Sequence, residues 1–206
     1  LYKRLSNDFN FRGVKFMILN SKLTDFSRTK KETQKQPYFL VVSTFSPDEP
    51  IETLLEGIRE FCKRSNSKLK FRLTGNYKKK YFLFSEFSAI DNIEFLGYID
   101  EELYNYQLVN SFGIISLSTR DDVQQFAISE AVGAEIPFIS NNNATNRDLF
   151  DNKMVLTELT PSAISSSIDN FIKNRAELNT NIKGIKETLA NKWDSDFIKI
   201  KNELGI

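Results

Sequence analysis

FGIISLSTRDDVQQFAISEAVGAEIPFIS, residues 112–140, is the stretch that decides the fold. It opens on a nearly continuous apolar run, FGIISLS (112–118), crosses a charged loop, reads as a helix from Gln124 to Gly133, and ends on IPFIS (136–140). Short strands that are apolar on both faces belong in a parallel sheet covered on both sides, and parallel neighbours need a helical crossover of this length. The alternation extends outward. Upstream come a strand YFLVVS (38–43), a strand LKFRLTG (69–75) and a strand IEFLG (93–97). Between them lie three helices: SPDEPIETLLEGIREFCKRS, a Lys- and aromatic-rich segment from about Lys78 to Phe87, and DEELYNYQLVN. The first of these starts with Pro and acidic residues and places Ile51, Leu54, Leu55, Ile58 and Phe61 on one face. Downstream follow a short helix NATNRDLF, a strand MVLTE (154–158), a helix over 161–175 begun by Pro161, and one or two closing helices over 180–204 with Trp193 inside. VKFMILN (14–20) reads as one more short strand. Six or so strands are too few for an eight-fold barrel, so a doubly wound α/β sheet is expected.

Composition narrows the chemistry. The 206 residues include 28 basic and 27 acidic side chains, 18 Phe, one Cys and no His. The length is ample for a sizeable core. A formal charge of +1 gives no global reason to expect nucleic acid as a partner. Cys62 alone makes neither an internal disulfide nor a cysteine-rich metal site. Without histidine there is no His-activated nucleophile, no histidine pH switch and no usual zinc centre. Residues 1–36 carry nine basic and three acidic side chains, and SKLTDFSRTKKETQKQ within them lacks any apolar period. That stretch is expected as a linker or surface arm, with the domain starting near Pro37. The opening residues lack an initiator Met and an apolar signal region, as the interior of a longer protein or a trimmed chain would. The apolar runs are far short of the roughly 20 residues that span a bilayer.

In an open parallel sheet, ligands bind beyond the carboxyl ends of the strands where the strand order reverses. The loops to weigh are therefore 43–50, 74–78, 97–100, 118–125 and 140–145. In the first, Ser43, Thr44 and Ser46 offer hydroxyls and amides to a phosphate, or Asp48 and Glu49 simply complement the helix dipole. In the second, Gly75 lets backbone approach a ligand, and Lys78, Lys79 and Lys80 either attract an anion or form a solvated face with Lys63, Arg64, Lys68, Lys70 and Arg72. STRDDVQQFAISEA (118–131) is the most informative. Glu130 lies eight residues beyond Asp122 among apolar helix residues, as a surface acid or as an acceptor for sugar hydroxyls. A nucleoside diphosphate would want Arg120 and the amides near Val123 to Gln125. Arg147 and Asp148 read as an ion pair or a helix-end decoration.

D122-VQQFAIS-E130 followed by EAVGAEIPFI (130–139) resembles the acidic-x7-Glu motif and EAMACGTPVI-like stretch of retaining nucleotide-sugar glycosyltransferases of the GT-B fold. Thr74-Gly75, NIEFLGYIDEELYNY (92–106) and the closing helix with Trp193 extend the resemblance over residues 37–204. It implies a Rossmann-like, donor-binding C-terminal domain at 37–206, with 1–36 as the end of an N-terminal domain plus its linker. Carried over, Glu130 accepts the ribose hydroxyls, Asp122 holds the donor sugar, and the backbone of Val123, Gln124, Gln125 and Phe126 runs near the diphosphate. Gly75 and Asn76 line the nucleotide cleft, Phe95, Gly97, Tyr98 and Ile99 lie near the base, and Arg120 or another cation stabilises the leaving diphosphate. The resemblance implies a nucleoside-diphosphate sugar as donor, a glycan or lipid-linked acceptor bound mainly by the N-terminal domain, and no metal or cofactor. It also implies a bacterial protein of polysaccharide synthesis, cytoplasmic or at the inner face of the membrane, with peripheral membrane association of the longer protein. The chain departs from the pattern at Thr44 and Glu49, where many relatives carry an Arg and a Lys on the diphosphate. Asp122 is a methylene shorter than Glu, and Glu135 replaces a Gly before Pro137. The replacements at Thr44 and Glu49 motivate an alternative, a catalytically inactive glycosyltransferase-like partner or scaffold. The SPDEP loop with its TRDD segment also resembles a bacterial subgroup in which such a loop is normal.

Overall fold

A computed structural model of the chain describes residues 19 and 21–205; the strand expected over 14–20 lies, but for residue 19, outside the described residues. Among the described residues six strands form one sheet: β1 (Tyr38–Val41), β2 (Lys70–Thr74), β3 (Ile93–Gly97), β4 (Gly113–Ser116), β5 (Phe138–Asn141) and β6 (Val155–Thr157). Their order is β3-β2-β1-β4-β5-β6 and every neighbouring pair is parallel. This is the expected doubly wound, Rossmann-like α/β sheet. All four residues of β1, β4 and β5 are buried, as continuous apolar runs in covered central strands should be. The edge strand β3 is only half-buried beyond Ile93.

The helices follow the same sequence logic. In α1 (Ile51–Arg64) the residues expected on one face, Ile51, Leu54, Leu55, Ile58 and Phe61, are all buried. Gly57 on that face admits α6 (Pro161–Lys173), since a Cβ there would stand 2.7 Å from Ile164 Cγ2. Pro161 starts α6, and Thr160 caps it by accepting from the Ala163 amide at 3.2 Å. Asp100 caps α3 (Glu101–Val109), and Asn143 caps α5 (Ala144–Phe150). The Lys-rich segment differs from expectation: Tyr77–Lys80 is a 3-10 turn, and α2 starts only at Tyr81, ending at Phe87. Asn76 accepts from the Lys78 amide at 3.2 Å, which tightens that first turn. The closing region is one helix, α7 (Arg175–Leu204).

By contacts, Leu23–Lys186 form one unit, while Glu187–Ile206 belong to a second. In the second, Trp193 and Phe197 stack with ring centroids 4.8 Å apart, and Lys22 Nζ lies 5.2 Å from the Trp193 ring. Residues 23–36, read from sequence as an arm, are laid along the first unit. Phe26 is buried, the Glu32 amide donates to Asn110 Oδ1 at 2.5 Å, and Asn110 Nδ2 donates to the Lys30 carbonyl at 2.9 Å. The arm passes so close to α4 (Phe126–Ala134) that a Cβ on Gly133 would stand 2.4 Å from the Thr24 carbonyl oxygen. Just beyond, Glu135 ends α4 at φ 60°, the left-handed conformation a Gly would adopt at no steric cost. Its carboxylate is held by Lys186 Nζ at 2.8 Å, which also keeps it below the usual carboxylate range.

Candidate functional site

The strand order reverses between β1 and β4, so the loops leaving their carboxyl ends flank the position where ligands bind in such sheets. Both loops are built by side chains. After β1, the Glu49 carboxylate turns back into its own loop. It accepts from the Thr44 amide at 3.0 Å, the Ser46 amide at 3.0 Å, Ser43 Oγ at 2.7 Å and Thr44 Oγ1 at 3.1 Å. Phe45, buried and at φ 59°, is carried in this tight loop. The amides and hydroxyls that the sequence offered to a phosphate thus already hold an anion. Glu49 does not act on the helix dipole alone; it clamps the loop. Asp48 ties the two loops together, its carbonyl accepting from the Thr119 amide at 2.8 Å and its carboxylate from Ser118 Oγ at 3.3 Å.

The loop after β4 is fastened from β5 and α5. Asn143 Nδ2 donates to the carbonyls of Arg120 at 3.1 Å and Val123 at 3.0 Å while its Oδ1 caps α5. Gln125 is held at both ends, donating to Asn141 Oδ1 at 3.2 Å and accepting from Ser140 Oγ at 3.4 Å. That anchorage leaves Gln125 extended as the N-cap, so α4 begins at Phe126, two residues later than the sequence suggested. Helix-start amides accordingly belong to Phe126 and its followers rather than to Val123–Gln125. Gln124 donates to Ser129 Oγ at 3.2 Å. The side chains of Gln124 and Gln125 therefore face protein partners, leaving backbone for any ligand. Arg120 and Asp122 are exposed, with Arg120 Nε 3.7 Å from Asp122 Oδ1, an ion pair of little energetic weight. Arg147 does not pair with Asp148; its guanidinium donates to the Asn142 carbonyl at 3.1 Å and to Asn142 Oδ1 at 3.0 Å.

On the β2–β3 side, Gly75 sits at φ 96° with its amide donating to the Gly97 carbonyl at 2.8 Å. Asn76 is engaged in capping the 3-10 turn, and Tyr98 is 87% exposed. Phe95 packs into an aromatic cluster with Tyr77 and Phe84, at centroid distances of 5.7 and 5.3 Å. The basic residues weighed as one face are partly neutralised: Arg64 pairs with Asp169, and Lys70 and Arg72 both meet Glu94.

Glu130 has a partner the sequence did not suggest. Tyr104, in the first turn of α3, donates its hydroxyl to Glu130 Oε2 at 2.6 Å. Tyr104 is the fourth residue of α3 and Glu130 the fifth of the nine in α4, the helix that follows β4. Burial pushes the Glu130 carboxyl above the usual range, the Tyr104 hydrogen bond opposes that, and the Glu101 charge adds to the rise. Tyr104 itself is pushed up, chiefly by burial and then by the same hydrogen bond. A carboxyl with a raised folded value holds more protons folded than unfolded. Its contribution to stability is therefore lost as pH climbs from the ordinary carboxylate range through the raised value. Tyr104→Phe removes the one opposing influence, so carboxyl NMR of Glu130 should show its titration midpoint moving further up. An unchanged or lower midpoint would refute the link.

Residues 24–188 match the family model "Glycosyl transferases group 1". A search of curated proteins returns no match. Three of the similar solved structures show the shared fold. Anabaena HepE, in complex with UDP and glucose, has TM-score 0.67 at 13% identity over 82% of this chain and 48% of its own. Sucrose-phosphate synthase from Thermosynechococcus elongatus has TM-score 0.69 at 16% identity over 88% and 50%. TarM has TM-score 0.75 at 19% identity over 98% and 41%. The chain thus spans half or less of the length of these three proteins and shares the fold of one part of each. With the family model covering residues 24–188, the chain belongs to the group 1 glycosyl transferases.

Proposed function

We propose that this chain is the donor half of a glycosyltransferase, holding a nucleoside-diphosphate sugar for transfer to a glycan or lipid-linked acceptor. The observation that carries the reading is Glu130, a half-buried carboxylate fixed by Tyr104 beside the reversal of strand order. One carboxylate accepts two hydroxyl hydrogen bonds, which suits the vicinal diol of a ribose. Asp122, exposed at the turn before α4, is free to reach a sugar hydroxyl, and the first-turn amides of α4 face the phosphates. Gly75, Asn76 and Tyr98 border the same edge. Among the solved relatives, HepE is seen with UDP-glucose, which supports a uridine nucleotide as the first donor to try. In this reading the donor half needs no metal or cofactor, and the acceptor lies on a second domain. A bacterial, cytoplasmic role in polysaccharide synthesis, at the inner face of the membrane when the acceptor is lipid-linked, completes the proposal. Among the described residues no helix is long and apolar enough to cross a membrane.

The clamp formed by Glu49 favours a second reading, a non-catalytic partner domain, because it fills the β1 loop with a negative charge. Titration with UDP and GDP separates the two. The donor reading expects saturable binding of one of them, weakened roughly 10- to 100-fold by Glu130→Ala, the loss expected for hydrogen bonds to a charged group. Absence of binding at millimolar nucleotide would leave the partner reading standing.

A further inference from the structure

We infer that Lys79 is the cation that meets the diphosphate of the donor. The inference rests on the donor reading above and adds a residue to it. Lys79 stands in the 3-10 turn after β2, yet its ammonium reaches across to the loop after β1, where it donates to the Thr44 carbonyl at 3.0 Å. The placement is built rather than incidental. The Lys79 amide donates to the Asn76 carbonyl at 3.1 Å, Asn76 Oδ1 receives the Lys78 amide, and Gly75 beneath the turn packs directly on the Ser43 carbonyl.

Elimination points the same way. The amides of Thr44 and Ser46 are closed by Glu49, so neither is open to a phosphate, and the carboxylate adds a negative charge beside it. A diphosphate at the reversal of strand order needs a compensating cation. Arg147 is bound to Asn142, and Arg120, only loosely paired with Asp122, belongs to the β4 loop, which leaves Lys79 as the cation seated on the β1 loop. Lys79 lies within ion-pair distance of no carboxylate among the described residues, Glu49 included, and one hydrogen bond leaves two of its three N–H donors available. An ammonium on a flexible stem acts as a point charge toward phosphate, and swinging off one carbonyl costs little.

The test compares UDP with uridine, and GDP with guanosine, on the 206-residue chain and its Lys79→Met, Lys79→Arg and Lys78→Met variants. Lys79→Met should weaken the diphosphate about tenfold and leave the nucleoside unchanged, as loss of one charge-assisted contact implies. Lys79→Arg should restore most of the affinity, and Lys78→Met should have little effect. Equal weakening of nucleoside and diphosphate by Lys79→Met would make the residue a loop tether only and overturn the assignment. So would an equal loss in Lys78→Met, which would signal diffuse charge. Unchanged diphosphate binding in Lys79→Met overturns it while leaving the donor reading intact; no binding of any nucleotide by the native chain removes both.

Discussion

Gly75→Ala is expected to lower stability by about 3 kcal/mol or more, one of the two largest single-residue effects in the domain. Two costs combine. At φ 96° an L side chain is strained by about 1–2 kcal/mol. The added Cβ would also stand 2.0 Å from the Ser43 carbonyl oxygen, 2.9 Å from its carbon and 3.2 Å from Thr44 Cα. These are backbone atoms, so relief requires moving the β1 loop rather than swinging a side chain. That loop is held by Glu49 from one side and by the Asp48 contacts to the β4 loop from the other, so it does not move freely. At 2–4 °C per kcal/mol for a domain of this size, the melting temperature should fall by about 6–12 °C. Hydrogen exchange at the Thr44 and Ser46 amides should accelerate more than the global loss explains. A melting point within about 2 °C of the parent, with protected Thr44 and Ser46 amides, would contradict this account. Gly75 was read from sequence as a point of close approach to a ligand; its nearest neighbour is the protein's own chain.

The contrast between what pattern revealed and what it missed has a physical basis. Strands such as YFLV and GIIS are legible because burial on both faces demands unbroken apolar runs, and α1 because its face repeats with the helical period. Boundaries failed where side-chain contacts override propensity. Gln125 looks helical in sequence, but its bonds to Asn141 and Ser140 hold it extended, and Asn76 draws the lysines into a 3-10 turn. Within the candidate site, the spacing of Asp122 and Glu130 singled the two acids out in the sequence. The partner Tyr104 was not, because it lies 26 residues from Glu130 and the two meet only through packing of α3 on α4. The Glu49 clamp spans only five residues, but nothing in SPDEP distinguishes a carboxylate folded into its loop from one facing solvent. Asn143 is the last of three consecutive Asn in the sequence, and nothing in that run marks it as the side chain that holds both the β4 loop and the start of α5.

Phe39→Ala should be as costly as Gly75→Ala or more so, about 3–5 kcal/mol, because it empties the centre of the core. Phe39 is fully buried in β1. Its ring stacks on Phe71 at 5.6 Å and meets Phe171 of α6 edge-on at 4.8 Å and Phe112 at 5.7 Å. Such aromatic contacts add to the area term by about 0.5–1.5 kcal/mol each. The register places Phe39 opposite Gly113 of β4, and that glycine makes room for the cluster: a Cβ there would stand 2.6 Å from Phe39 and 2.4 Å from Phe171. Gly113→Ala alone should therefore cost about 1–3 kcal/mol through overpacking. The decisive measurement is the double variant in denaturant unfolding. Removing the Phe39 ring clears one of the two obstructions to the new methyl, which then fills part of the void. The double variant should lose less than the sum of the singles by about 1 kcal/mol, a coupling within the range for contacting residues. Strict additivity would mean that Gly113 is not held open by Phe39. The spacing between β1, β4 and α6, and with it the placement of the two loops at the site, would then have to be set by Phe171 alone.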